Sequence, residues 1–254
     1  MSTSDRFGAT PVSDTGTPEK QWQQWLSARD WPQLEVQVER LIVLAAHPDD
    51  EVLGAAGMML AAAAAGIEVV PVCLSDGSGS HPGSATLSPE RLAILRRREL
   101  DSATEVLGIE RSRWGALPDG SLAVQGAAMT RIVDAVCDEQ PETVTGVLSV
   151  WEHDGHPDHE AVGRCAVDLA DRRGLRLWQY PIWMWHWASP GDPQIAWEAM
   201  HRHRLDDAAL AAKRAAVATF ETQIRPLSDD PADQVVLPEH VLERLLRTDE
   251  FVFG

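Results

Sequence analysis

The sequence predicts an α/β protein with a Rossmann-like, mostly parallel sheet, helices on both faces, and the active site at the carboxyl ends of the strands. Three observations predict it. Short aliphatic runs such as "LIVLA" and "VLSV" read as strands buried on both faces. They alternate with segments of helical length and composition, the order that builds a parallel sheet. Two clusters of titratable residues follow directly on two of these strands, where the loops of such a sheet gather.

The elements follow in order. Residues 1–20, "MSTSDRFGATPVSDTGTPEK", are rich in Ser, Thr, Gly, Pro and Asp with few apolar anchors, which predicts a mobile segment. Residues 21–254 are expected to form one domain, because a chain of 254 residues that is 44% hydrophobic can bury a substantial core. "QWQQWLSARDWPQLEV" places Trp22, Trp25, Leu26 and Trp31 along one side of a short helix lying against that domain. Strands are expected at 41–46, 68–74, 113–116, 143–150 and 176–180, and helices at 50–65, 89–107, 123–139 and 157–171. "GAAG" at Gly54–Gly57 is too short and too far into its helix for a dinucleotide phosphate loop, so its glycines read as close-packing positions.

Residues 178–197, "WQYPIWMWHWASPGDPQIAW", hold five of the ten tryptophans and are broken by Pro181, Pro190 and Pro193, which predicts a loop-like insertion. On an extended segment Trp183, Trp185 and Trp187 share one face, and Trp185 is read as part of a substrate wall. A core or oligomer contact is the alternative, which leaves homo-oligomer formation open. "HRHR" at His201–Arg204 reads as exposed helix polarity, with contact to an anionic substituent as the other reading.

The formal net charge of −17 excludes a general nucleic-acid binder and favours a small-molecule substrate. Cys73, Cys137 and Cys165 are odd in number and far apart, as expected of core residues in a reducing compartment. The most apolar stretch, Val52–Val72, is interrupted by Gly66 and Glu68, so no membrane span is expected and the setting is read as cytoplasmic.

The chemistry concentrates in "AHPDDE" (Ala46–Glu51) and "WEHDGHPDHEAVG" (Trp151–Gly163). Zinc takes His nitrogen and carboxylate oxygen, and a catalytic site commonly uses three protein ligands and leaves one position open. His47 and Asp50 with a histidine of the second cluster supply such a set. Glu51 is read as a helix cap or a brace for its neighbours.

"AHPDDE" together with "HPDH" (His156–His159) resembles the PIG-L/LmbE-like superfamily of zinc-dependent N-deacetylases, which act on N-acetylglucosamine-type amino sugars. "RRRELDSATEVLGI", with Arg96 and Glu99, "LPDGSL", with Asp119, and "KRAAVATFETQ" are similar to further segments of that family. The resemblance covers about 41–223. It implies one Zn²⁺ per chain held by His47, Asp50 and His159. It further implies Asp49 as general base and His156 as a second catalytic group, charged and oriented by Asp158. Asp76, His81, Arg96, Asp119, Asp154 and Trp185 are assigned to substrate binding. The sequence departs from relatives that use a tyrosine beside the second motif, because its one tyrosine is Tyr180; His153 and Asp154 are the groups available there. The alternatives are a metal-dependent phosphoesterase and a non-catalytic sugar-binding module, which metal stoichiometry separates.

Overall fold

The computed structural model describes residues 2–254; Met1, the first residue of the segment expected to be mobile, lies outside the described residues. The elements run α1 (Thr3–Gly8), α2 (Glu19–Ser27), β1 (Arg40–Ala45), α3 (Asp50–Ala64), β2 (Glu68–Ser75), α4 (Pro89–Leu107), β3 (Arg113–Leu117) and α5 (Gly126–Asp138). There follow β4 (Thr145–Val150), α6 (Pro157–Arg173), β5 (Arg176–Tyr180), α7 (Met184–Trp187), β6 (Met200–Arg204), α8 (Asp207–Val217), α9 (Glu221–Ile224), α10 (Glu239–Leu245) and β7 (Asp249–Phe253).

The strands form one sheet in the order β3-β2-β1-β4-β5-β7-β6. From β3 to β5 neighbours are parallel, whereas β7 pairs antiparallel with both β5 and β6. Every residue of β1 and β4 is buried, as the aliphatic runs predict for strands covered on both faces. Helices α3, α4 and α8 pack together, and α5 packs on α6. Right-handed crossovers to either side of β1 and β4 put these two groups on opposite faces. The chain therefore reverses its winding between β1 and β4, and the crevice outside their carboxyl ends is where such a sheet binds ligands.

The helices start and stop where local chemistry asks. The Ser88 hydroxyl accepts the Arg91 N–H at the start of α4, with Pro89 in the first turn. In α3 a Cβ at Gly54 would overlap the Tyr180 ring, so that glycine is a close-packing position as expected. Tyr180 itself is buried, its hydroxyl donating to the Leu44 carbonyl at 2.9 Å. Lys213 on α8 pairs with Glu250 on β7 at 2.7 Å, and the same carboxylate accepts the Gly57 and Met58 N–H groups of α3 at 2.9 Å each.

Three expectations are corrected. Residues 2–20 form α1 and a strap that packs on the domain, because Phe7 and Val12 supply apolar anchors and the polar residues around them find partners. "HRHR" lies in β6, where pairing with β7 satisfies its backbone, and is not helical. The tryptophan-rich stretch contains helix α7 in place of an extended segment, so residues two apart point to nearly opposite sides. Trp185 is buried against Trp22 and Phe251, with ring centroids 5.0 and 5.8 Å away, and under the Arg247 guanidinium at 4.3 Å. Among the described residues no helix is long and apolar enough to cross a membrane.

Candidate active site

The loop after β1 turns straight into α3, and that tight handover sets the first cluster. Asp50 Oδ2 accepts the N–H groups of Ala46 and His47 at 3.1 and 2.8 Å, which folds its carboxylate back over the strand end. Its other oxygen lies 3.3 Å from His159 Nε2. His47 Nδ1 is 3.1 Å from the same His159 nitrogen and 3.5 Å from Asp50 Oδ2. His159 comes from the first turn of α6, which follows β4. The two motifs thus meet across the switch point.

The protonation pattern turns these three donors toward one another. His47 Nε2 faces Asp119 at 3.1 Å and Asp158 at 3.5 Å, so Nε2 is the nitrogen that keeps its proton when the ring is neutral, and Nδ1 is the one that gives its proton up to a cation. His159 Nδ1 faces the fully buried Asp154 at 2.8 Å, which likewise leaves the lone pair on Nε2. Burial opposes charge on His47, yet hydrogen bonding to Asp119, Asp158 and Asp50 outweighs it and pushes the imidazole well above its ordinary range. Burial also opposes charge on Asp50, but His159 and His47 hold it well below the usual carboxylate range. A site so rich in carboxylates favours a cation.

Two imidazole nitrogens 3.1 Å apart, with one Asp50 oxygen 3.5 Å from the first and the other 3.3 Å from the second, could hold a metal ion. Tetrahedral zinc with bonds of about 2.0–2.2 Å separates its ligands by roughly 3.3 Å. Ligating atoms of His47, His156 and His159, and of His47, Asp119 and Asp158, also fall within 4.8 Å of one another. In the second group Asp158 already accepts from Gly120 and Leu122 N–H, and Asp119 from Gly79 N–H. In the first, His156 Nδ1 accepts the Asp158 N–H at 3.2 Å. Asp50 Oδ1 accepts no backbone N–H among the described residues and faces His159 Nε2, so His47, Asp50 and His159 are the better set.

Asp49 lies beside them, nearly buried and bound by Arg96 at 3.0 Å. Burial raises its pKa, Arg96 lowers it and Asp50 raises it, with a net upward shift. Behind the site Glu51 donates nothing to the cavity: Oε1 accepts from Ser112 at 3.1 Å, and Oε2 has no hydrogen-bond partner among the described residues. Burial, with Asp50 and Asp49 near it, pushes Glu51 up to about 8.

His47, Asp49, Asp50, His156, Arg96 and Asp119 line one cavity of about 290 Å³. Several assigned roles change. The Asp158 carboxylate does not orient the His156 ring, which meets only the Asp158 N–H; the carboxylate is drawn to Gly120, Leu122 and His47. Burial and the neighbouring His47 and His159 disfavour the imidazolium expected at His156, holding its pKa well below the usual value. Asp154 does not reach a substrate: it binds His159 and three backbone N–H groups, of Ile182, Trp183 and Met184. Asp76 accepts from Ser78 and Asp119 N–H and braces its loop, and His81 is buried against Ser80; neither lines the cavity. Trp185 does not line it either, but Trp183 does. His153 is exposed and packs edge-on against Trp151. Sequence reasoning missed Phe7, Val12, Val236 and Leu237, which also line the cavity; Phe7, the one aromatic residue in the first twenty, was the available signal.

A doubly wound α/β sheet with a His/Asp cluster that could hold a metal ion at its switch point defines the class. Within it, residues 42–170 match the PIG-L family, GlcNAc-PI de-N-acetylase, and the chain belongs to that family. A probable N-acetyl-alpha-D-glucosaminyl L-malate deacetylase 2 of Bacillus anthracis is 25% identical over 202 residues, 77% of this chain and 89% of that protein. The diacetylchitobiose deacetylase of Thermococcus kodakarensis is 29% identical over 139 residues, 54% of this chain, and the match spans about half of that relative, 51%. The fold is shared with the N,N'-diacetylchitobiose deacetylase of Pyrococcus horikoshii, with a TM-score of 0.55, 21% identity and 80% of each chain covered. It is also shared with teicoplanin deacetylase in its zinc-inhibited form, with a TM-score of 0.63, 17% identity, and 84% of this chain and 97% of that one covered.

Proposed function

We propose that this protein hydrolyses the N-acetyl amide of an N-acetylglucosamine-type sugar or small conjugate, with one Zn²⁺ held by His47, Asp50 and His159. The observation that carries this reading is Asp49: a buried carboxylate, pinned by Arg96, in the same cavity as His47 and Asp50. When bound, the ion supplies Lewis-acid polarisation of the amide carbonyl and lowers the pKa of a water molecule.

The chain's own residues do the rest. Asp49, made more basic by burial, accepts the proton of the attacking water and passes it to the departing amine. Arg96 holds that carboxylate in place and keeps it ionised before turnover. The Asp158 N–H occupies His156 Nδ1, which puts the ring proton on Nε2. A neutral His156 then donates a hydrogen bond from Nε2 to the carbonyl oxygen as charge develops there, the task that a tyrosine performs in some relatives. Asp119 and Asp154 fix the rings of His47 and His159, each through the nitrogen turned away from the donor cluster. Three buried cysteines without a disulfide support a cytoplasmic setting.

Acetate release from N-acetylglucosamine and its conjugates tests the proposal. Release that is abolished by a chelator and restored by zinc is expected; release that a chelator leaves intact would remove the metal from the reaction.

A further inference from the structure

Residues 2–17 cover one side of the cavity with apolar side chains. We propose that α1 and the strap after it form a selectivity wall, in which Phe7 and Val12 favour an N-acylated amino sugar bearing an apolar group over the bare N-acetyl sugar. The proposal rests on the amide-hydrolase reading above and specifies its substrate class.

Phe7 and Val12 line the same cavity as His47 and Asp49. The Phe7 ring lies 5.3 Å from Trp183 and 6.0 Å from His156, between centroids. Leu53, Ile182, Val236 and Leu237 complete an apolar surface facing a polar floor. A bare sugar presents hydroxyls on nearly every carbon, and burying a hydroxyl against such a surface without a partner is unfavourable. An aliphatic or aromatic substituent gains there in proportion to the apolar area it removes from water. The apolar group can sit at the anomeric carbon or in the acyl chain; both present the same chemistry to Phe7.

The wall is anchored on both sides of Phe7 and Val12. Before them, the Thr3 and Ser4 hydroxyls bind the Glu160 carboxylate, directly after His159, and Arg6 pairs with Asp192 while lying 4.4 Å over the Trp187 ring. After them, Arg244 binds the Thr15 and Thr17 carbonyls, and the Thr17 N–H donates to His186. The second motif makes room for Phe7: Gly155 has φ +95°, and a Cβ there would come within 2.8 Å of the Phe7 Cβ. A wall fixed in this way spends little ordering entropy on a ligand.

The test compares kcat/KM of the full chain for N-acetylglucosamine, its octyl glycoside and N-octanoylglucosamine, in the wild type, Phe7→Ala and Val12→Ser. The wild type should prefer one of the octyl compounds by about tenfold or more, a ratio that small apolar contacts command. Which of them is preferred locates the apolar group. Either substitution should bring the ratio toward one, mainly through KM. A wild-type ratio near one, or a ratio that survives both substitutions, overturns the proposal. Titrations of the same compounds followed by tryptophan fluorescence, with Trp183 against Phe7, keep the two readings apart. An octyl preference in binding that Phe7→Ala removes, with no acid released from any compound, contradicts the hydrolase and retains the wall. Equal binding of all three contradicts the wall.

Discussion

His159 Nδ1 lies 2.8 Å from Asp154 Oδ2, and both side chains are fully shielded from solvent. The same carboxylate gathers the N–H groups of Ile182, Trp183 and Met184, so the ring of the histidine proposed to bind the metal is oriented by the group that organises the start of α7. Asp154→Asn should therefore weaken zinc binding about 10–100-fold, the usual effect of losing such an orienting partner. Competition with a chromogenic chelator measures this, and unchanged affinity would show that His159 needs no such support.

Trp185 is a packing residue, wedged between Trp22, Phe251 and Arg247. Trp185→Ala should cost about 3–5 kcal/mol of stability, the range for emptying a large aromatic site in a core. Denaturant unfolding reads the loss. A stable variant with a raised KM would return Trp185 to the substrate wall.

The strap should loosen in mild acid. His186 is held low mainly by burial, which its hydrogen bond to the Pro11 carbonyl opposes and the nearby Arg244 and His240 reinforce. A histidine whose folded pKa is depressed contributes stability that is fully present above its free value, about 6.5, and is lost as pH falls from there through the lower folded pKa. Amide exchange across residues 11–17, corrected for intrinsic rates, should be faster at pH 5.5 than at pH 7.5. Equal protection at both would separate His186 from the hold on the strap.

The alternation of aliphatic and helical segments foretold the parallel half of the sheet, and the ends of the expected spans lie within three residues of the observed ones, with α4 and β5 matched at both ends. β6 and β7 were not legible, because "MHRHR" lacks the aliphatic pattern of a buried strand and β7 closes the sheet from the chain's end. The two motifs pointed to His47, Asp49, Asp50, His156 and His159 because chemically distinctive types recur at two strand ends. The partners of those residues were harder to read. Whether Asp154 or Asp158 faces a histidine, a backbone N–H or a substrate depends on side-chain direction across β1 and β4, which spacing along one motif does not encode. Composition also misled on the N-terminal segment: Thr3, Ser4 and Arg6 are the polar residues of a mobile stretch until Glu160 and Asp192 are brought opposite them.

The central claim divides the labour at one site: His47, Asp50 and His159 hold one zinc ion, and Asp49 moves the proton. Zinc content and acetate release measured side by side in the wild type, His159→Ala and Asp49→Asn test it most directly. The wild type should hold one zinc per chain, and His159→Ala should lose most of it while remaining folded. Asp49→Asn should keep its zinc and lose turnover by about 10²–10⁴, the range for a missing acid–base group. Undiminished acetate release from Asp49→Asn, or full zinc retention in His159→Ala, would contradict the account.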